Sequence, residues 1–540
     1  MLPAYALALA LLVTAPLLAP GYLLWRDAVS TPRSYLTDAA LGLSEAAPRA
    51  LPQDFFIAVT STVLDGGVVV KALLVAGLVL AGWGAARLVD AVLPEAGLGG
   101  QFIAATLAIW NPYVAERLLQ GHWSLVVGYG CLPWVAATVL RLRTGSGSWW
   151  GLAFWIALAG LTPTGLMLAA AVAFVCAAAP GDGCRRSRVA AVTLVVSVLA
   201  ALPWLVAALV GGSVTSSPDV SAGVNAFAAR AEPGLGTLGS LAGLGGIWNG
   251  DAVPAARTTL FAVVATVVLL GVVGLGVAVV ARRPAAVPLL MLAAVAVVLP
   301  TVMATGPGLA VLESLIRAVP GLGLLRDGQK WVALALPGYV LAAAAAPLTL
   351  RRLRVPLAAS AAVCCAALIA VLPDLAWGVG GQMRAVQYPA SWAAAAAAIN
   401  ADPRPVAVLP PDIMREFSWA GAAPVLDPLP RWLRAEVLTT GDLSIGRLTV
   451  PGEGVRARAM QDLLLAGASP QQLADVGVGW VVRESDRDVT VQRIGGSAPA
   501  SPHRGLLIAA HLVWLAVLVG GAAGMAAGYR RVRVCNPAAP

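Results

Sequence analysis

Apolar runs dominate the sequence, each about as long as the ~20 residues a helix needs to cross a hydrocarbon layer ~30 Å thick. They lie at roughly 4 to 25, 67 to 86, 98 to 112, 122 to 140, 148 to 162, 163 to 179, 189 to 211, 258 to 281, 284 to 303, 329 to 349, 355 to 373 and 505 to 528, about twelve candidate spans. Of the 540 residues, 59% are hydrophobic and 12% charged. That leaves too little polar surface to cover a single buried core. The expectation is an α-helical polytopic membrane protein. Around Thr162-Pro163-Thr164-Gly165 the pattern fits either a tight turn between two spans or a kink within one helix.

Charge orients the spans. The formal net charge is +9, which in a soluble chain would suggest a nucleic-acid partner. Here the basic residues cluster at span ends, where Lys and Arg tend to stay cytoplasmic. With the N-terminus inside, the inner segments hold fourteen arginines, among them Arg87, Arg141, Arg143, Arg282, Arg283, Arg351 and Arg530. Against them stand Asp90, Glu95 and Asp182, so the inner segments carry +11, while 22 basic and 24 acidic residues elsewhere give −2. The charge is therefore a topology signal, and no nucleic acid is required. Both termini are expected to be cytoplasmic, in a multi-pass plasma-membrane protein. The first run has no preceding Lys or Arg and is long for a signal-peptide core, so it is read as retained. Four cysteines fall in spans, and Cys184 and Cys535 in inner segments, so no disulfide framework is expected.

Residues 1–376 read as the membrane unit, 377–504 as an extracytoplasmic α/β domain, and 505–540 as a last span with a basic cytoplasmic tail. Within 377–504, β-type runs occur at 405–410, 478–482 and 489–494, and helical patterns at 391–400, 455–466 and 470–474. Four other outer segments are expected: 26–65, 111–121, 212–257 and 306–328.

Signatures of common soluble enzymes are missing: there is no G-x-x-x-x-G-K-[ST], G-x-S-x-G or H-E-x-x-H. With three histidines, His122, His503 and His511, an all-histidine metal site is not expected, and His511 reads as a helix-packing residue. The outer loops hold the candidates. Arg26 and Asp27 follow the first run, with Asp38, Glu45, Asp54 and Asp65 beyond. A carboxylate there can take a proton from a hydroxyl while an arginine holds phosphate; the plainer reading is an interfacial pair. In the second loop Glu116, Arg117 and His122 crowd one rim among aromatics, as a substrate cleft or as neighbours of an aromatic belt. Arg326 and Lys330 flank Asp327 where the tenth run begins, a place suited to an anion or to an ion pair capping the helix. Trp248 offers either a sugar-stacking face or an interfacial anchor. Asp486-Arg487-Asp488 spells D-x-D, yet it lies between two β-type runs and reads as a hairpin turn.

This combination, with the stretch from Trp110 to Trp134 that ends Gly128-Tyr129-Gly130-Cys131-Leu132-Pro133-Trp134, resembles the GT-C superfamily of polyprenyl-phosphate-sugar-dependent glycosyltransferases. It looks most like actinobacterial arabinofuranosyltransferase- and mannosyltransferase-like proteins. The resemblance implies a GT-C-like bundle, with Asp27 as the first-loop carboxylate that serves as catalytic base. Arg326 and Lys330 correspond loosely to the groups that hold donor phosphate. Many members carry paired acidic residues in the first loop, whereas Asp27 has none adjacent, and a divalent metal is the one cofactor the resemblance leaves open.

The implied function is an integral-membrane glycosyltransferase, taking a sugar from a polyprenyl-phosphate donor and adding it to a cell-envelope glycan or glycolipid on the outer face. Arg26, Glu116, Arg117, His122, Asp327 and Trp248 would shape the cleft among membrane lipids. Two other classes fit the pattern: a non-catalytic scaffold of GT-C layout, and a lipid-linked-sugar flippase or transporter. The near absence of charge within the runs speaks against ion-coupled transport.

Overall fold

Proline and asparagine decide where the apolar runs become helices. The computed structural model describes all residues except 45–49, 211–219, 320, 446–447, 451, 453, 499–500 and 535–540. Glu45, Cys535 and the start of the expected loop at 212 therefore lie outside the described residues. Six helical segments are long and apolar enough to cross a membrane: Gly66–Val92, Trp123–Arg143, Arg186–Val210, Phe261–Val280, Gly328–Leu353 and Arg504–Gly528. Two bent pairs, Val287–Met303 with Gly306–Ala318 at 93° and Leu357–Ala370 with Pro373–Gly380 at 72°, raise this to eight among the described residues.

That is fewer than the twelve expected, because hydropathy counts apolar content while the backbone stops at particular residues. The first run is helical over Leu2–Thr14, tightens over Ala15–Leu18, and is extended over Tyr22–Trp25. Pro16 and Pro20 lack the N–H that a continuing helix needs. Helix Gly97–Ile109 ends before Asn111-Pro112, since the residue before a proline is held out of the helical region. Trp149–Ala159 and Pro163–Ala177 are two helices of 11 and 15 residues, not one kinked helix. Thr162 Oγ1 accepts from Gly165 N at 3.0 Å and starts the second. At 1.5 Å per residue each is shorter than ~30 Å. The expected loop 306–328 is largely the amphipathic helix Gly306–Ala318.

Small residues let the helices that carry the site pack closely. A Cβ on Gly130 would lie 2.3 Å from Gly77 O, where Trp123–Arg143 crosses Gly66–Val92.

In the C-terminal stretch a four-stranded mixed sheet runs in the order Val489–Arg493, Trp480–Glu484, Val406–Leu409, Val437–Leu438. Helices Ala390–Ala401, Val455–Leu465 and Pro470–Asp475 accompany it. Its core contains Trp392, Val406, Trp432 and Val482, together with Leu24 and Val29 from the first loop. Those two belong to a hairpin in which Tyr22–Trp25 pairs antiparallel with Ala28–Val29 and, on its other edge, with Ala385–Val386. The two ends of the sequence thus share one core.

Candidate functional site

Trp25 pairs with Ala28, so Arg26 and Asp27 form the two-residue tip of the hairpin. Arg26 adopts φ +48°, in a position where glycine is usual and where a side chain costs ~1–2 kcal/mol. Three contacts hold it. Leu426 N donates to Arg26 O at 2.9 Å, Arg26 Nη2 donates to Asp251 O at 2.9 Å, and its guanidinium lies 5.7 Å from the Trp25 ring. Strain over-determined in this way is typical of a functional turn, and here it aims Asp27 at the second loop.

That loop begins with Asn111, whose Oδ1 accepts from Val114 N at 3.1 Å and starts the helix Pro112–Leu119. Glu116 and Arg117 are both fully buried, and successive helix positions turn by about 100°, so they face different partners. Glu116 accepts from Gly246 N and Ile247 N, each at 3.1 Å, and from Gln329 Nε2 at 3.0 Å. It anchors the third loop and does not line an open cleft. Arg117 grips Asp327 with two bonds, Nη1 to Oδ2 at 2.8 Å and Nη2 to Oδ1 at 3.0 Å, and also donates to Gln329 Oε1. Two parallel charge-assisted bonds hold such a pair firmly. Asp327 makes no capping bond to the following helix; its partner is Arg117. Burial alone would raise the Asp327 carboxyl, but the Arg117 and Lys330 charges hold it well below the usual carboxylate range.

The same guanidinium lies 3.1 Å from His122 Nδ1. Arginine can only donate, so Nδ1 accepts and Nε2 carries the proton. Nε2 is 3.0 Å from Asp27 Oδ2, which also accepts from Gln120 Nε2 at 3.1 Å. Gln120 Oε1 in turn accepts from Asn249 Nδ2 at 2.8 Å. Among the described residues no group bonds to Asp27 Oδ1, and the side chain is 35% exposed. Burial would raise the Asp27 carboxyl, but the bonds from His122 and Gln120 and the charge of Lys330 bring it below its ordinary value. Burial, with Lys330 and Arg117 nearby, lowers His122 below 6.5 in spite of Asp27.

Lys330 completes this group. Its Nζ is 3.7 Å from Asp327 Oδ2 with 23% of the side chain exposed, and Tyr113 Oη donates to its carbonyl at 3.2 Å. Arg326 is placed differently: its guanidinium stacks 4.1 Å from the Phe227 ring, and Phe227 packs at 4.5 Å against half-buried Trp248. Asp27, His122, Arg117, Asp327 and Lys330 therefore form one continuous array, with Arg326 and Trp248 meeting at Phe227. Gln120, Asn249 and Gln329, which carry the connections, were not singled out in the sequence; each lies inside a stretch that was. The buried ion pair of Glu232 with Arg257 behind Glu116 had no local signal at all.

A divalent metal does not fit this site. Among the described residues no three His, Cys, Asp or Glu side chains converge. Around Asp27 stand an imidazole, an amide and an ammonium, where a hard cation needs several oxygens. Asp486 of the D-x-D is tied to Ser418, accepting from its N at 2.5 Å and its Oγ at 2.7 Å, in the turn between two paired strands. His511 stacks 4.6 Å from Phe55, with its Nδ1 on Leu507 O at 2.8 Å, as expected of a packing residue.

The sequence matches no family profile and no curated protein. Among solved structures, the chain resembles the cryo-EM structure of the arabinofuranosyltransferase AftD from mycobacteria, with a TM-score of 0.58 at 20% identity over 90% of this chain. A point variant of the same enzyme gives 0.56 at 20% identity, again over 90%. The matched region is 35% and 37% of those chains, so this chain spans little more than a third of the length of that enzyme. The likeness shows a shared membrane-protein fold.

Proposed function

We propose that the chain is an integral-membrane glycosyltransferase of GT-C type that moves a sugar from a polyprenyl-phosphate donor to a cell-envelope glycan or glycolipid. The observation that carries this reading is the state of Asp27: one carboxylate oxygen is held by His122 and Gln120, the other is open, and the Lys330 ammonium stands nearby. In the reaction the acceptor hydroxyl gives its proton to Asp27 as its oxygen bonds to the anomeric carbon. The bond from that carbon to phosphate breaks, and the electron pair leaves on the polyprenyl phosphate. Lys330 pairs with the charge the donor phosphate already carries and with the charge that develops there, and Arg326 is the second basic group for that phosphate. His122 keeps Asp27 ionised and pointed, Arg117 keeps His122 in the right tautomer, and Arg26, Glu116 and Asp327 hold the frame. Both termini would be cytoplasmic, with residues 377–504 outside the cell and presenting the acceptor.

The fold shared with an arabinofuranosyltransferase supports this reading. The test is transfer from radiolabelled polyprenyl-phosphate sugars to an envelope-lipid extract by the protein in nanodiscs, wild type against Asp27→Asn. Transfer by wild type alone is expected, whereas equal transfer by the variant removes Asp27 as base.

A further inference from the structure

A cavity of about 250 Å³ opens where the first loop meets the C-terminal stretch, lined by none of the residues assigned above to transfer. Its wall nonetheless adjoins the catalytic hairpin. Val29 and Leu426 line it; the first is two residues beyond Asp27, and the second donates its N–H to Arg26 O. Trp123, which follows His122, forms another part.

The polar groups inside are of a particular kind. Arg431 Nε donates to Asp54 Oδ1 at 3.2 Å, joining the two ends of the sequence across the cavity wall. Gln53 Nε2 donates to the same oxygen at 3.2 Å. Among the described residues, Asp54 Oδ2 and both Nη groups of Arg431 have no partner, and the two side chains are 20% and 17% exposed. One acceptor and two donors are thus held together facing open space, the pattern that matches two neighbouring hydroxyls. Asp427, also in the lining, shares Arg415 with Glu484, and Arg431 faces Asp54, so the lining carries no excess positive charge. A phosphate finds no excess cation here, unlike at Lys330. At ~30 Å³ per water the space corresponds to about eight waters, room for one sugar ring.

We infer that this cavity is an acceptor subsite, which takes a ring of an uncharged, polyhydroxylated glycan behind the terminal one that meets Asp27, and selects it through Asp54 and Arg431. The inference rests on the glycosyl-transfer reading, and the two can fail separately. Full-length protein in nanodiscs is titrated with octyl arabinofuranosyl and octyl mannosyl trisaccharides and, separately, with farnesyl phosphate. The variants are Asp54→Asn, Ala39→Phe, which fills the cavity while leaving the ion pair intact, and Lys330→Gln. The expected result is that wild type binds a trisaccharide and the first two variants bind it at least tenfold more weakly, with farnesyl phosphate affinity within twofold. Lys330→Gln shows the reverse. In transfer assays the first two raise the acceptor KM and leave the donor KM unchanged. Equal trisaccharide affinity in all four proteins, or no affinity in wild type, overturns the subsite. Persistent sugar transfer in that case would keep the transfer reading, whereas trisaccharide binding without any transfer would defeat that reading and the acceptor role with it.

Discussion

Arg117 Nη1 lies 3.1 Å from His122 Nδ1, so a buried guanidinium dictates which nitrogen of the histidine bears the proton. His122 can then donate through Nε2 to Asp27 at 3.0 Å and can do nothing else in that place while it stays neutral.

The first consequence is a pH profile. Burial, together with the Lys330 and Arg117 charges, lowers the His122 pKa below 6.5, and a protonated His122 would turn an N–H toward Arg117. Because the folded value is depressed, this site favours the native array above the unfolded pKa and loses it as pH falls through the folded one. Transfer should be level above pH 6.5 and decline on the acid side. In His122→Gln, kcat should fall about a hundredfold, and the remaining acid limb should move to the lower pH of a carboxyl, Asp27 keeping its bond from Gln120 and the nearby Lys330 charge. An unmoved limb, measured by initial rates across about pH 4 to 8, would show that His122 does not set it.

Breaking the Arg117–Asp327 pair from one side should be costly. Both groups are buried, and an orphaned buried charge costs about 3–5 kcal/mol. Asp327→Leu and Arg117→Met should each lower the unfolding midpoint followed by tryptophan fluorescence, and the double variant should recover part of the loss. Activity should not recover with it, because His122 would no longer be held in one tautomer. Recovery of both would reduce the pair to a stabilising contact.

Gly121 is where the second loop meets the hairpin. It has φ +84°, and a Cβ there would come within 2.4 Å of Ala28 N and 2.5 Å of Trp25 O. Gly121→Ala should push the Asp27 tip off Gln120 and His122, cutting turnover at least tenfold with normal membrane insertion. Wild-type kinetics in that variant would mean that the contact is not needed.

Lys330→Gln should raise the donor KM more than it lowers kcat, because a partly exposed ammonium acts on the phosphate already in the ground state. A change in kcat alone would place its effect in the transition state instead.

Much of the site was readable along the chain because its parts cluster in short stretches. Asp27, the run from Glu116 to His122, and Asp327 with Lys330 each stand out as polar residues beside apolar runs, and the fold brings all three together. Their division of labour was not readable. Glu116 and Arg117 are neighbours in sequence, and their opposite assignments depend on which way a short helix is rotated by Asn111. Arg326 and Lys330 look like a pair four residues apart. The segment between them is a tight 3-10 turn, and an aromatic ring 99 positions away takes Arg326. The count of long helices falls below the count of apolar runs for a similar reason: Pro16 tightens the first helix inside a run whose hydropathy continues, and the run closed by Asn111-Pro112 holds a helix of only 13 residues.

The hairpin that bears Asp27 is stitched on one edge to Ala385–Val386 and at its tip to Val425, while His122 and Lys330 belong to the helical bundle. Asp27 is therefore tied to the C-terminal stretch through its hairpin and, through its own N–H on Gln120 O at 3.2 Å, to the helices that carry its polar partners. On the proposed reading, whatever seats the C-terminal stretch also positions Asp27, so glycan capture and catalytic competence would be one mechanical event.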